Sequence, residues 1–257
     1  MGRIISIVNN KGGVGKTTIA GNLGHALAQR KKKVLLVDLD NQCNVSSVFM
    51  KDDSRGDTIY ELFENETADA SKCVYASDYE NLWILPNVHE TAALESEMSA
   101  RPGKGFSILR DRLRPFAVAN FDYVLLDCPP NLGLFAVQAM VAADDVIVPI
   151  ECGSRFAIDG LERTMSAIID VQKQLNPGIR NTKLLISRVD KRTSISRITI
   201  QQIQKHFRDD LFETHIPLNT AVQQAELLRQ TVIGFAPFSN GAHAFQVLAR
   251  EFERIIS

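Results

Sequence analysis

The sequence has few cysteines, no long apolar run and almost no net charge. Its four cysteines, Cys43, Cys73, Cys128 and Cys152, are widely spaced and form no C-x-x-C pair. This spacing argues against a zinc site or a disulfide framework, and we expect reduced thiols in the cytosol. No apolar run approaches the length of a membrane span. The formal net charge is −1, so nucleic-acid binding would require a local basic patch or an assembled dimer.

The composition is that of an ordinary globular protein. Hydrophobic residues make up 45% and charged residues 23% of the 257 residues, which is typical of soluble domains. This length allows one large α/β domain or two small ones. Residues 1–3 lead straight into an apolar run, so we expect no signal peptide and a cytoplasmic protein.

Residues 4–18 are the most informative stretch. An apolar, β-branched run over residues 4–8 predicts a strand that is buried on both faces. Glycines follow the run, and a helical pattern continues through Leu23 and Leu27. A phosphate-binding loop requires this order of strand, glycine-rich turn and helix. Glycines let backbone N–H groups approach an anion closely, and the helix directs its positive end to the same place.

The residue types in this loop match the chemistry of nucleotide binding. Lys16 would reach the β- and γ-phosphates, and the Thr17 hydroxyl would bind Mg²⁺. The alternative is a glycine-rich turn that only joins a strand to a helix, but the context and the spacing favour nucleotide binding. The predicted nucleotide-binding residues of the loop are Lys11, Gly12, Gly13, Val14, Gly15, Lys16, Thr17 and Thr18.

The loop departs from the common G-x-x-x-x-G-K-[ST] template. Asn10 stands where the first glycine would be, and Lys11 lies inside the loop. The resulting K-G-G-x-G-K-T-T sequence resembles the deviant Walker A box of the ParA/MinD family of dimerising ATPases. The resemblance implies a homodimer with ATP sandwiched between the subunits. It also implies that Lys11 crosses to the partner subunit, touches its nucleotide and takes part in catalysis.

Two aspartates follow the second predicted strand, Val34–Asp38. Asp38-Leu39-Asp40-Asn41-Gln42 resembles the D-x-D-P-Q box of the family, with Asn41 in place of proline. The resemblance implies that Asp38 lies near the water shell of Mg²⁺ and that Asp40 orients the attacking water. A carboxylate beside the γ-phosphate is suited to that task. Alternatively, the two aspartates only cap the next helix.

A third aspartate ends the apolar run over residues 121–127. Asp127 has the position of a Walker B residue at the carboxyl end of a strand, where it would face the phosphate loop and hold the metal. The following Cys128-Pro129-Pro130 resembles the D-x-P-P switch segment of the family, which responds to the γ-phosphate. Residues 212–219 resemble its short strand and I-P-x-N segment. This resemblance implies that Pro217, with Asn219 and the neighbouring backbone, lies against the adenine.

Strands and helices alternate along the chain without a linker. This pattern predicts right-handed β-α-β units in an α/β fold. We therefore predict a single-domain P-loop NTPase over residues 1–257, with a mainly parallel twisted sheet and helices on both faces. The chain starts at its loop strand, so no N-terminal helix-turn-helix domain is expected. Residues 101–105 are predicted to form a loop. The further predicted strands are 82–86, 145–150 and 183–187, and the predicted helices are 58–63, 91–98, 108–119, 132–143, 157–175, 195–208 and 241–256.

Basic residues gather after the strand at 183–187. Arg192 lies where related partition ATPases carry a basic DNA-contacting residue, whereas Leu218 replaces an arginine that binds DNA in some members. Aspartates nearby dilute the charge, so a solvated helix face is the alternative to a DNA site. The candidate DNA-binding residues are Arg188, Lys191, Arg192 and Arg197.

The resemblance covers nearly the whole chain and implies a function. It predicts an Mg²⁺-dependent ATPase that is weak unless stimulated and that segregates or positions DNA with a ParB-like adaptor. The ATP-bound dimer would bind DNA without sequence preference and associate with the nucleoid. A related ATPase that positions a cargo other than DNA is an alternative.

Three further classes share features with this sequence. A MinD-like membrane ATPase needs a basic amphipathic C-terminal helix, but Arg250 and Arg254 are offset by Glu251 and Glu253. No stable membrane association is therefore expected. An iron–sulfur carrier needs paired cysteines. A small-molecule kinase or synthetase would not need Lys11, whose role makes sense mainly across a nucleotide sandwich.

Overall fold

The computed structural model describes residues 2–50, 56–99, 105–153 and 157–256, without the side chains of 157–159. Seven strands within these ranges form one sheet in the order β3-β4-β2-β5-β1-β6-β7. The strands are β1 (Arg3–Ile7), β2 (Val34–Asp38), β3 (Tyr75–Ala76), β4 (Leu82–Leu85), β5 (Tyr123–Asp127), β6 (Asp145–Glu151) and β7 (Asn181–Ser187).

The sheet is mainly parallel, as the sequence predicts. The short edge strand β3 pairs antiparallel with β4, and the other neighbours are parallel. Ile7 and Asp38 both pair with Asp127 in the register of β5. Because parallel strands end at the same edge, the segments after β1, β2 and β5 converge there.

Helices cover both faces of the sheet. They are α1 (Lys16–Gln29), α2 (Asn44–Phe49), α3 (Ile59–Glu64), α4 (Thr91–Ser99), α5 (Ile108–Asn120), α6 (Leu134–Ala142), α7 (Ala157–Gln174), α8 (Ser194–Phe207), α9 (Thr220–Leu227), α10 (Val232–Phe235) and α11 (Asn240–Ile256), with 3-10 turns at Ala70–Cys73 and Arg208–Asp210. No helix in the described ranges is both long enough and apolar enough to cross a bilayer.

Successive strand residues alternate between two hydrophobic cores. Ile4 and Leu35 face the core that α3 to α8 cover. Ile5 and Leu36 face the core that α1, α2 and α9 to α11 cover. This alternation is the side-chain period of a strand with both faces buried, and it confirms the predicted α/β layers.

The helix that follows the phosphate loop packs closely on the sheet. A Cβ added at Gly24 of α1 would lie 2.8 Å from Leu36 Cδ2, so glycine permits the close approach of α1 to β2. The C-terminal helix α11 packs on α1 and buries Phe245 and Phe252 completely. The core therefore fixes the position of α1 and, through it, the end of the phosphate loop.

Ion pairs close the amino-terminal edge of the sheet. Arg3 donates to both oxygens of buried Asp145, from Nε at 3.0 Å and from Nη2 at 2.9 and 2.6 Å. Arg114 donates from Nη2 to Asp144 Oδ1 at 2.7 Å, and Asp144 Oδ2 accepts from the backbone of Ile4 at 2.9 Å. The arginines thereby neutralise two adjacent carboxylates at the start of β6.

The structure also corrects several details of the prediction. Residues 212–219 contain no strand; Pro217 forms an isolated bridge with Val189, and Leu211, directly before the segment, forms another with Leu184. The elements β3, α9 and α10 were not predicted from the sequence. Of the predicted loop at 101–105, residues 101–104 lie outside the described residues.

Candidate nucleotide-binding site

The glycine-rich loop occupies residues 8–15, between β1 and α1. Gly13 and Gly15 have φ values of 76° and 92°, a left-handed conformation that favours glycine. The Asn9 amide donates to the Pro149 carbonyl of β6 at 2.7 Å, and the Ser187 hydroxyl of β7 donates to the Val14 carbonyl at 2.8 Å. The carboxyl ends of two neighbouring strands therefore hold the loop in place.

Asn10, at the position of the missing glycine, joins the loop to α7. Its backbone N–H donates to the hydroxyl of buried Thr164 at 3.3 Å, and the Thr164 hydroxyl in turn donates to the Asn10 side-chain oxygen at 3.4 Å. The Thr164 hydroxyl lies closer to the Gly160 carbonyl of its own helix, at 3.0 Å, so the loop is linked to α7 mainly through the Asn10 backbone.

Lys16 lies over the loop with only 6% of its surface exposed. Its ammonium donates to the carbonyl oxygens of Asn9 at 3.3 Å and Lys11 at 3.1 Å. Burial lowers the pKa of Lys16, while the neighbouring Asp127 carboxylate acts in the opposite direction. The lysine therefore presents a poorly solvated charge that an anion in the loop would stabilise.

Thr17 and Asp127 lie together at the edge of the sheet. The Thr17 hydroxyl donates to Asp127 Oδ2 at 2.8 Å. The other oxygen, Asp127 Oδ1, is buried and has no hydrogen-bond partner in the part of the chain that the structure describes. Burial, and then the charge of Asp38, raise the pKa of Asp127 well above its ordinary value.

This pair fits a magnesium ion. Mg²⁺ prefers oxygen ligands and usually keeps several waters beside one or two protein ligands and substrate phosphates. The hydroxyl of Thr17 and the unpaired oxygen of Asp127 would supply such ligands. Among the described residues, no group of three or more His, Cys, Asp or Glu could hold a metal by itself, which fits a site completed by water and phosphate.

Asp38 and Asp40 differ in their contacts. Asp38 Oδ2 accepts from the backbone N–H of Ser46 at 2.8 Å and from its hydroxyl at 2.7 Å. Asp38 Oδ1 accepts from the Asp40 N–H at 3.1 Å, and burial raises the pKa of Asp38 to about 6. Asp40 Oδ1 accepts from the Gln42 N–H at 3.0 Å. Asp38 therefore bonds to the first turn of α2, the structural role that the sequence left open. Among the described residues, the Asp40 carboxylate bonds within its own turn.

Lys11 points to a residue of its own chain. Its ammonium donates to Glu151 Oε2 at 2.8 Å, and the other oxygen of Glu151 lies 3.5 Å from Arg188 Nε. Glu151 ends β6. Sequence reasoning missed this acidic residue, although its place at the carboxyl end of a strand was a usable signal.

The predicted adenine-binding residues lie beside the loop. A cavity of about 50 Å³ is lined by Gly15 and Thr18 on one side and by Pro217 and Asn219 on the other. Asn219 Oδ1 also caps α9 by accepting from the Ala221 N–H at 2.9 Å. The structure therefore brings the I-P-x-N segment and the phosphate loop to one cleft, although they are about 200 residues apart in the sequence.

The four candidate DNA-binding residues lie in different settings. Arg188 lines the same cleft in a left-handed conformation with φ 55°. Arg192 donates to both carboxylate oxygens of Asp190 at 2.9 Å. Lys191 lines a groove of about 580 Å³, and Arg197 is exposed on α8. The assignment of DNA contacts to these four residues stays a prediction.

Taken together, a parallel sheet, a glycine-rich loop at its carboxyl edge and an acidic residue on the adjacent strand define a P-loop nucleotide-binding protein. A family model described as an AAA domain matches residues 2–181. The chain is 35% identical over 252 residues to the sporulation initiation inhibitor protein Soj of Bacillus subtilis, covering 98% of each protein. It is 34% identical over 252 residues to the chromosome partitioning protein ParA of Myxococcus xanthus, covering 98% of this chain and 88% of that protein.

A solved structure with bound nucleotide is also similar to this chain. Cobyrinic acid a,c-diamide synthase from Mycobacterium smegmatis, with bound ADP and magnesium, matches with a TM-score of 0.82 and 29% identity, over 99% of this chain and 95% of that one. The chain belongs to the ParA/Soj group of the ParA/MinD family of P-loop ATPases. This confirms the family and the fold class that the sequence predicts.

Proposed function

We propose that this protein is an Mg²⁺-dependent ATPase that forms a homodimer around ATP and uses the cycle to segregate or position DNA. The observation that carries the proposal is the pairing of Thr17 with Asp127 at the end of the phosphate loop, where a buried carboxylate oxygen has no protein partner. A hard cation and a nucleotide phosphate would satisfy that arrangement.

The loop would bind the phosphates of ATP with its backbone N–H groups, the Lys16 ammonium and the first turn of α1. Mg²⁺, when bound, would neutralise phosphate charge as it develops during transfer. Thr17 and Asp127 would hold the Mg²⁺ ion. Asp38 would support the site indirectly, by keeping the first turn of α2 in place. Pro217 and Asn219 would lie against the base at the far end of the cleft.

Hydrolysis would require two further residues. Asp40 is 7% exposed at the edge of the site, and its carboxylate would orient the attacking water. Lys11 would leave Glu151 and contact the nucleotide of the partner subunit. Because that contact exists only in a dimer, turnover would be weak in the monomer and would depend on assembly.

The partition role is supported by the relatives that carry this name. In this proposal the ATP dimer binds DNA without sequence preference, and a ParB-like adaptor stimulates hydrolysis and releases the DNA. The protein would be cytoplasmic and would associate with the nucleoid in its ATP state. Arg188, Lys191, Arg192 and Arg197 are the candidate DNA contacts, and two copies in a dimer would present them together to one duplex.

A membrane-binding role is less well supported by the packing of α11. Phe245, Leu248 and Phe252 of this helix are fully buried in the core, so its apolar stripe is already covered. An amphipathic membrane anchor would have to expose such a stripe.

The experiment that tests the proposal is DNA binding with ATP, with ADP and without nucleotide, over a salt series. We expect binding with ATP only, with no sequence preference and with a steep decrease as salt rises, because each neutralised phosphate releases counterions. Sedimentation with anionic vesicles under the same conditions is the control. ATP-dependent binding to vesicles but not to DNA would contradict the DNA role and favour a membrane-associated ATPase.

A further inference from the structure

Helix α9 places an acidic side chain beside the phosphate loop. The Thr18 hydroxyl, in the first turn of α1, donates to a carboxylate oxygen of Glu226. Glu226 also lines the cleft that contains Pro217 and Asn219. This single side chain therefore contacts the phosphate end of the cleft and borders the part where a base would lie.

The position of Glu226 relative to Thr18 is fixed by a polar bridge. The Asn22 amide donates to the Thr18 carbonyl at 2.8 Å, and Asn22 Oδ1 accepts from the Val232 N–H at 2.8 Å. Asn22 thus connects α1 with the start of α10, the next helix after α9. The Gln230 N–H also donates to the Ala225 carbonyl at 2.9 Å, which holds the end of α9 against the residues between α9 and α10.

The order of phosphates, sugar and base in a nucleotide indicates which group would lie beside Glu226. Phosphates on the loop and a base beside Pro217 leave the sugar between them, next to Glu226. A carboxylate only accepts hydrogen bonds, and the two hydroxyls of a ribose can donate them. An acidic residue performs the same task in the dinucleotide-binding folds, where it bonds the ribose 2′-hydroxyl.

We propose that Glu226 accepts hydrogen bonds from the ribose hydroxyls and so makes the site prefer ribonucleotides to deoxyribonucleotides. This inference rests on the proposed binding of ATP. Glu226 is exposed, so its side chain can turn from the Thr18 hydroxyl to the sugar when a phosphate engages the start of α1. Electrostatic repulsion from the phosphates favours the same movement.

Equilibrium titration of the full chain with ATP, 2′-deoxyATP and 3′-deoxyATP in Mg²⁺ tests the proposal. We expect wild type to bind ATP about tenfold more tightly than the deoxy analogue that lacks the contacted hydroxyl, since a hydrogen bond to a charged group has roughly that effect. Glu226→Ala should lose the preference by weakening ATP binding toward the level of the analogue. Glu226→Gln, which keeps one acceptor, should retain part of it.

Gln224→Ala is the matched control, because Gln224 is an exposed residue of the same helix and does not line the cleft. It should keep the wild-type preference, and thermal melting without nucleotide checks that each variant folds. An unchanged preference in both Glu226 variants would overturn the inference. Tighter binding of all three nucleotides by Glu226→Ala, with an unchanged preference, would overturn it in favour of a carboxylate that competes with phosphate. A wild type that binds ATP without any preference overturns the inference alone, whereas one that binds no ATP overturns the proposed function as well.

Discussion

The Lys11 ammonium lies 2.8 Å from Glu151 Oε2 of its own chain. The lysine that would act across a dimer is therefore paired within the monomer. Both side chains are partly exposed, at 34% and 27%, so the pair contributes at most about 1 kcal/mol. A bond of that size can hold Lys11 without preventing its release.

Glu151→Gln should favour the ATP dimer, because it removes a partner that competes for Lys11. Two such pairs would break when a dimer forms, so a loss of up to about 1 kcal/mol from each corresponds to an increase of up to about thirtyfold in dimer affinity. Size-exclusion chromatography with light scattering across a range of protein concentrations, in ATP and Mg²⁺, measures it. Glu213→Gln is the control, since Glu213 is exposed and its ion pair does not involve the phosphate loop. A weaker dimer in Glu151→Gln would show that Glu151 supports the interface.

Asp127→Asn should stabilise the protein without nucleotide while removing its response to Mg²⁺ and ATP. The folded-state pKa of Asp127 is raised, so the native state holds this proton more tightly than the unfolded state does. The native state therefore loses stability as the pH rises through the window from 3.8 toward the raised pKa, and the loss is complete above it. Asparagine avoids that loss and still offers an oxygen to Thr17.

We expect Asp127→Asn to raise the free energy of unfolding at neutral pH, with a smaller gain as the pH falls toward 4. Urea unfolding at several pH values measures this effect. A variant that is less stable than wild type at pH 7 would show that the Asp127 charge is compensated within the protein.

Lys16→Ala should abolish ATP binding. Each hydrogen bond from its ammonium to phosphate contributes roughly 1.5–3 kcal/mol, and Lys16 should make more than one. Lys32→Ala is the control. Lys32 lies between the end of α1 and the start of β2, far from the phosphate loop, so this variant should bind ATP normally. Micromolar ATP affinity retained in Lys16→Ala would refute the role of this residue.

Asp40→Ala and Asp38→Ala should fail in different ways. Asp40→Ala should keep ATP binding and the fold and should accumulate an ATP dimer with little turnover. Asp38→Ala leaves the buried Ser46 hydroxyl without its acceptor, so it should lower the free energy of unfolding by about 1–3 kcal/mol. Chromatography with ATP, phosphate release and urea unfolding separate the two. Normal turnover in Asp40→Ala would transfer the catalytic role to another residue.

His25 should make the protein sensitive to acid. Its Nδ1 lies 2.7 Å from the Thr231 hydroxyl, and burial lowers its pKa to about 4. The unfolded state takes up the proton near pH 6.5, so stability that is present above this pH is lost as the pH falls toward 4. The loss from His25 between pH 7.5 and pH 5 should be about 2 kcal/mol. Urea unfolding of His25→Gln should show a smaller loss, and an equal loss would assign the sensitivity to other groups.

Arg192→Glu should weaken DNA binding by the ATP dimer more than Arg30→Glu does, and neither should change ATP affinity. Arg192 is 88% exposed, although it pairs with Asp190, so it can exchange this partner for a phosphate. Arg30 pairs with Glu253 and serves as the control. Fluorescence anisotropy with a short duplex measures the difference, and equal effects would remove Arg192 from the interface.

The fold could be predicted because buried parallel strands appear as apolar runs. Val34–Asp38 is both the predicted and the observed β2. Two-residue β3 and four-residue α10 are too short to show a period, and α9 begins at a cap that sequence reasoning assigned to the adenine site. The order of the strands depends on packing between distant segments, which a local pattern does not contain.

The candidate site, like the fold, could be predicted from the sequence only in part. The phosphate loop is contiguous, so its residues could be named from their spacing. Glu151 and Glu226 come to it from other elements, and nothing adjacent to Glu226 in the sequence indicated this.

The amino-terminal edge of the sheet, where the ion pairs lie, offers a place to attach a probe for experiments in living cells or on surfaces. All candidate catalytic residues lie at the carboxyl edge, and Asp144 and Asp145 are held by arginines at the other edge. The exposed turn at residues 30–33 lies at this second edge, and the five residues of β2 separate it from Asp38 by roughly 15 Å. A fluorescent dye or a surface tether attached in this turn would therefore report the movements of the protein without standing in the way of nucleotide at the carboxyl edge.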